Sequence, residues 1–152
     1  MTAGADAKPS APELVAAPAQ ARRFVAARRR RAAETLEDYT ELIADLIGRD
    51  GEARITDIAE RLGIAHPTAS KAVGRLEREG LVVVKPYRGV SLTAAGQAMA
   101  ERVHRRHRLV VDLLIAVGAP REAAEADAEG VEHYVSSATL AAFEAFLAER
   151  RK

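Results

Sequence analysis

The sequence predicts a mainly α-helical fold, with an N-terminal winged helix-turn-helix followed by an all-helical segment. Three observations predict it. Two short amphipathic stretches meet at Gly63-Ile64-Ala65. A β-branched run, Leu81-Val82-Val83-Val84, reaches turn residues at Pro86-Tyr87-Arg88-Gly89 and returns as Val90-Ser91-Leu92. Beyond Gly96 the apolar residues recur at helical spacing. Two helices at a tight turn and then a hairpin make a winged helix-turn-helix.

Each element has its own justification. From Glu34 onward, Leu36, Tyr39, Leu42/Ile43 and Leu46/Ile47 form one apolar helical stripe, ended by Gly48 and Gly51. Thr56 is expected to cap a short helix with Ile58, Ala59 and Leu62 inward and Gly63 at its end. Pro67 suits the first turn of a third helix, which buries Ala69, Val73 and Leu76 and stops at Gly80. A long helix from Thr93 towards Gly118 turns Met99, Val103, Val110, Leu113, Leu114 and Val117 inward. Pro120 opens a helix carrying Ala124, Ala128, Val131 and Val135, and a last helix uses Leu140, Phe143 and Leu147. No internal repeat is visible.

Composition narrows the function. The 152 residues are 48% hydrophobic and 30% charged, which suits a globular protein. Cysteine is absent, which excludes a disulfide scaffold, a thiolate metal site and cysteine catalysis. No apolar run is long enough to span a bilayer, and Asp6, Lys8 and Glu13 interrupt any signal-peptide core. The expectation is a cytoplasmic protein without a membrane partner. Aromatic residues are only 4%, too few for base-stacking platforms.

The net charge of +1 conceals an asymmetry. Residues 1–33 carry seven Lys and Arg against Asp6 and Glu13, a charge of +5. The other 16 basic and 20 acidic residues leave 34–152 at −4. Residues 1–20 hold seven Ala and three Pro with no sustained period. Residues 21–33 have helix-forming Ala and Arg, but the charge run suits a mobile arm. The whole of 1–33 is therefore expected to be a disordered basic tail, either solvated or touching DNA phosphates.

In the third helix, Thr68, Lys71, Arg75 and Arg78 fall at i, i+3, i+7 and i+10, opposite the buried stripe. A recognition helix needs one apolar face on its scaffold and one polar face in the major groove. Its N-terminal residues meet base edges, which points to Thr68, Ser70 and Lys71, with Pro67 beside them among the DNA-binding residues. Arg75 and Arg78 are placed to reach phosphates, and Lys85 and Arg88 on the hairpin to grip backbone beside the groove. The expected partner is a double-stranded DNA operator.

A second constellation can hold metal. In Asp127-Ala128-Glu129-Gly130-Val131-Glu132-His133, Glu129 lies one helical turn from both Glu132 and His133. His107 sits mid-helix among apolar residues, and Asp38, Glu41 and Asp45 share one face of the first helix. A solvated acidic face and a core histidine are the plainer readings of these last two features. His104, one turn before His107, is expected to be solvated or to face DNA.

The chain resembles the manganese-responsive repressors of the diphtheria-toxin-repressor family over about residues 34–148. The resemblance rests on DYTE from Asp38, DIAERLGIAHPTASKAVGRLEREGLV, YRGVSLTAAG, RRH ending at His107 and DAEGVEH ending at His133. It implies a winged helix-turn-helix DNA-binding domain over 34–95 and a helical metal-binding and dimerisation domain over 96–152. It also implies six metal ligands: Asp38, Glu41, His107, Glu129, Glu132 and His133. Two Mn(II) ions per subunit would be bridged by Glu129 and Glu132. His107, Asp38 and Glu41 would complete one site and His133 the other. Four carboxylates against two divalent ions make that cluster formally neutral. Iron-responsive relatives use sulfur-bearing residues at the positions of Asp38 and Glu129, and usually continue into a further barrel domain. Oxygen donors at both positions, and a chain ending near residue 152, favour manganese. Tyr134 departs from the pattern, since many manganese-type members carry a second His there.

The expected function is a Mn(II)-activated homodimeric repressor of manganese homeostasis genes, without organic cofactor. An iron-responsive repressor of the same family and a metal-independent winged-helix regulator are the alternatives. The latter accounts for 51–92 but not for four carboxylates and two histidines at this spacing. A di-metal enzyme would need paired Glu-x-x-His motifs, and Glu101/His104 stands alone. No catalytic residue is expected.

Overall fold

The computed structural model describes residues 14–151. Eight elements follow in order. They are α1 (Ala17–Asp50), α2 (Ile55–Leu62), α3 (His66–Arg78), β1 (Val82–Lys85), β2 (Gly89–Leu92), α4 (Ala94–Ala116), α5 (Arg121–Val131) and α6 (Ser137–Arg150).

Helix α1 corrects the expectation of a disordered tail over 17–33. It runs unbroken for 34 residues. Neither Gly nor Pro occurs between Ala19 and Ile47, and Ala and Arg are strong helix formers. Pro18 sits in the first turn, where its missing N–H leaves no bond unmade. Residues 1–13 of the expected tail lie outside the described residues. At the far end Gly51 closes α1 in the left-handed region at φ 79°, its N–H bonded to the Ile47 carbonyl.

The first core is the packing of α1, α2, α3 and the wing. Ile43 and Leu46 of α1 bury against Ile58, Ala69, Val73, Leu76, Val82 and Val90, with Leu36, Tyr39 and Leu42 at its edge. The strands pair antiparallel in the register Val82↔Leu92 to Lys85↔Gly89. The hairpin is tied to the loop after α1, because Val90 N–H donates to the Ala53 carbonyl at 2.8 Å. That close approach needs Gly89, at φ 76°, since a Cβ there would stand 2.4 Å from the Ala53 oxygen.

Thr93 joins the wing to α4. Its hydroxyl donates to the Gly80 carbonyl at 2.6 Å and accepts from Gly96 N–H at 3.1 Å. The second core is smaller: Val110 and Val111 of α4 with Ala124 and Ala128 of α5, flanked by Leu114 and Leu140.

Three local expectations are corrected. Helix α2 begins one residue before Thr56, after an extended Arg54 with no side-chain cap, so Thr56 lies within the helix. Helix α5 stops at Val131, and Glu132, His133 and Tyr134 form a turn. Val117, just after α4, and Val131, the last residue of α5, are exposed rather than inward. Among the described residues, no helix is long and apolar enough to cross a membrane.

Candidate metal centre and nucleic-acid interface

Helix α1 presents two functional faces. Leu36, Tyr39, Ile43 and Leu46 face the first core, shared with α2, α3 and the hairpin. Glu34, Glu37, Asp38 and Glu41 lie on the other side, towards α4 and the turn after α5. A helix with a 3.6-residue period separates the two sets without any loop.

All six expected ligands lie along this junction, five of them in two groups and Glu41 apart, a division that differs from the expected one. Donor atoms of His107, Glu129 and Glu132 lie within 4.8 Å of one another, as do those of Glu34, Asp38 and His133. His107 Nδ1 is 3.1 Å from Glu132 Oε2 and 3.8 Å from Glu129 Oε1. His133 Nε2 is 2.9 Å from Asp38 Oδ1 and 3.5 Å from Glu132 Oε1. Asp38 thus stands beside His133 rather than His107, because α1 passes the α5–α6 turn at that level. Glu132 touches both groups. Glu41 pairs with His104, whose Nε2 is 3.3 Å from Glu41 Oε1 and 3.0 Å from Asp45 Oδ1. His104, 34% exposed, is thus held by two carboxylates of α1. An open cavity of about 590 Å³ lined by Asp38, Glu41, Asp45 and Glu129 leads to the junction.

Three further residues shape the centre. His133 Nδ1–H donates to Glu37 Oε2 at 2.9 Å, and Arg106 of α4 holds the same carboxylate. With Nδ1 so occupied, His133 Nε2 is left facing Asp38 and Glu132. Glu34 and Glu37 stand one turn before Asp38 and Glu41, so extending the acidic stripe would have found both. Nothing local marks Arg106, whose partner is 69 residues away.

The electrostatics describe a centre short of positive charge. Glu132 is completely buried, and burial together with the Glu41 carboxylate pushes its carboxyl up to about 8. Burial also raises Asp38 and Glu41 above the ordinary carboxylate range, against the lowering pull of His133 and His104 respectively. For His133 burial disfavours the cation, but the Glu37 hydrogen bond and the Asp38 and Glu132 carboxylates outweigh it and raise the pKa. Glu132 Oε1 is buried with no hydrogen-bond partner, an expensive state for a polar atom. An oxygen donor left unsatisfied between two imidazoles and three other carboxylates is what a hard divalent cation requires.

On the other half, α3 buries Ala69, Val73 and Leu76. Pro67, Thr68, Ser70, Lys71, Arg75 and Arg78 are all exposed on its outer surface. Lys85 and Arg88 are exposed on the wing, with Tyr87 fully exposed between them at φ 63°.

Family comparisons match both halves. An iron dependent repressor N-terminal DNA binding domain covers residues 32–90. The metal binding and dimerisation domain of the iron dependent repressors covers 93–152. The chain belongs to the iron-dependent repressor family. It is a DNA-binding, metal-binding transcriptional regulator and not an enzyme, as the sequence led one to expect.

Among relatives, the transcriptional regulator MntR of Escherichia coli O6:H1 is 48% identical over 113 residues, 74% of this chain and 73% of that protein. Two solved structures share the fold. The manganese regulator SloR has a TM-score of 0.63 and 33% identity over 74% of this chain. A manganese-dependent transcriptional repressor in complex with manganese has a TM-score of 0.64 and 30% identity over 73% of this chain. The match spans about half the length of these two structures, 53% and 51%.

Proposed function

We propose that the chain is a Mn(II)-activated, homodimeric transcriptional repressor of manganese homeostasis genes. It reads operator DNA with α3 and the wing and carries two Mn(II) ions per subunit. Asp38, Glu41, His107, Glu129, Glu132 and His133 hold the metal, which supplies positive charge among these donors. The observation that carries the reading is Glu132, buried completely, with one oxygen unpartnered and the other beside His107. Manganese is favoured over iron by donors that are all oxygen or imidazole, with no sulfur, and by the names of the relatives.

The residues explain how metal reaches DNA. Asp38 and Glu41 belong to the helix that packs behind α3, whereas His107, Glu129, Glu132 and His133 belong to the helical half. Without metal, the crowded carboxyls must either repel one another or hold protons, which weakens the link between the two halves. A divalent cation held by these donors would tie α1 to α4 and the α5–α6 turn. In a dimer built on the helical half, this sets the two recognition helices near one DNA turn apart, about 34–36 Å. If these residues held a divalent cation only in the binding-competent orientation, linkage would require DNA to tighten cation binding by the same factor. No organic cofactor enters this scheme.

The test is Asp38→Ala, read by fluorescence anisotropy on duplexes that the full chain selects in the presence of Mn²⁺. The variant is expected to remain a dimer by sedimentation yet lose Mn²⁺-dependent binding. Full metal activation in the variant overturns the coupling.

A further inference from the structure

We infer that the N-terminal extension of α1 is a rigid, helical DNA-backbone contact, a third element beside the recognition helix and the wing. This rests on the DNA-reading surface proposed above. Residues 14–33 contain six arginines and no acidic residue. Arg22, Arg23 and Arg28 to Arg31 are all exposed. From Ala17 to Ala33 the helix is about 25 Å long at 1.5 Å per residue.

Two observations give this helix a place. First, Thr35, Leu36 and Tyr39 of α1 line the same cavity, about 300 Å³, as Thr68, Lys71, Arg75 and Arg78 of α3. The helix therefore runs along the flank of the recognition helix, beside its outward basic residues. Arg31 and Arg28 lie one and two turns before Thr35 on that side, so the basic surface of α3 continues onto α1. Second, the start of the extension is seated. Arg30 Nη1 donates to the Tyr134 carbonyl at 3.2 Å, and the Tyr134 hydroxyl donates to Glu34 at 2.7 Å. Tyr134 follows His133 directly, so the turn that carries metal ligands also directs the extension.

Charge then decides the occupant. A solvated helix alternates its charges, and consecutive arginines with no carboxylate among them repel one another. A polyanion relieves that repulsion, and each phosphate neutralised releases a counterion. The exposed Phe24 and Val25 offer a competing occupant, a second copy of this chain.

The experiment is the variant Arg28→Gln/Arg29→Gln/Arg31→Gln, which spares Arg30 and keeps helix propensity. Binding to a random-sequence 30-base-pair duplex is measured in saturating Mn²⁺ at several salt concentrations. Lys71→Ala serves as the comparison. The slope of log K against log salt is expected to fall by about 2–3 for each subunit bound, at about 0.9 for each phosphate that is no longer neutralised. Affinity is expected to fall alike on random and selected duplexes, because backbone contacts carry no sequence. An unchanged slope with Lys71→Ala still impaired overturns the extension's role alone. An unchanged slope for both variants removes the DNA-reading surface as well. An unchanged slope with an altered sedimentation mass makes the extension a contact between copies and overturns the inference.

Discussion

Replacing Glu132 by Gln separates the two roles assigned to that carboxyl. In the native protein free of metal, its pKa rises from 4.5 to about 8. Between those values the folded state holds a proton that the unfolded state has released, so stability must fall as pH rises. From pH 5 to pH 9 the loss attributable to this group is about 4 kcal/mol, from a pKa displacement worth about 1.4 kcal/mol for each pH unit. His133 acts in the same direction. Its raised pKa gives stability that is full below the unfolded value of 6.5 and lost as pH passes the higher folded value. Gln keeps the shape of the protonated acid but has no charge to bury. The measurement is thermal unfolding in chelator across pH 5–9, repeated with Mn²⁺. At a few degrees per kcal/mol, chelated Glu132→Gln should melt on the order of 10 °C above native at pH 9. Near pH 5 the two should be within a few degrees. With Mn²⁺ the order should reverse at pH 8, because the variant lacks the donor. A native-like pH dependence in chelator, or a full Mn²⁺ stabilisation in the variant, would refute the assignment.

Three shorter predictions follow from the same geometry. Glu37→Gln should weaken Mn²⁺ binding about 10–100-fold by calorimetry while leaving the dimer intact, because the carboxylate that orients His133 is removed; unchanged affinity would remove Glu37 from the centre. Glu129→Cys should move metal-dependent DNA binding towards Fe²⁺, Co²⁺ or Zn²⁺, since thiolate is a softer donor than carboxylate; an unchanged Mn²⁺ preference would show that selectivity lies elsewhere. Gly96→Ala should destabilise the wing–α4 junction by roughly 1–3 kcal/mol in urea unfolding, since overpacking forces the backbone to shift. A Cβ there would stand 2.0 Å from the Leu81 carbonyl oxygen; a native-like midpoint would contradict that packing.

Much of the architecture was legible because its signals are local. The stripes Ala69/Val73/Leu76 and Ile43/Leu46, the stop at Gly51 and the hairpin around Pro86–Gly89 each lie within a short stretch of chain. Burial followed them, since a helix with one apolar face has one way to hide it. The exposed cations of α3 followed from the same period. The six residues that the resemblance picked out as ligands lie along one junction between the two halves. Two local signals misled. Arginine density suggested disorder where Ala-rich helix propensity prevails, and periodicity carried α5 past Val131.

Other features depend on distance in the chain. Which donors share a group was decided by how α1 crosses the turn after α5, so Asp38 meets His133 from the far end of the sequence. Arg106 and Glu37 meet across 69 residues, and His104 turns to Glu41 and Asp45, without any spacing rule to announce it. The depth of Glu132 is likewise a tertiary fact. A carboxylate at that position is an ordinary polar residue until α1, α4 and α5 close over it. Sequence supplied the ligand types and the faces that carry them. Only the packing of those faces could remove water from Glu132, leave one of its oxygens unpaired and make the centre demand a cation.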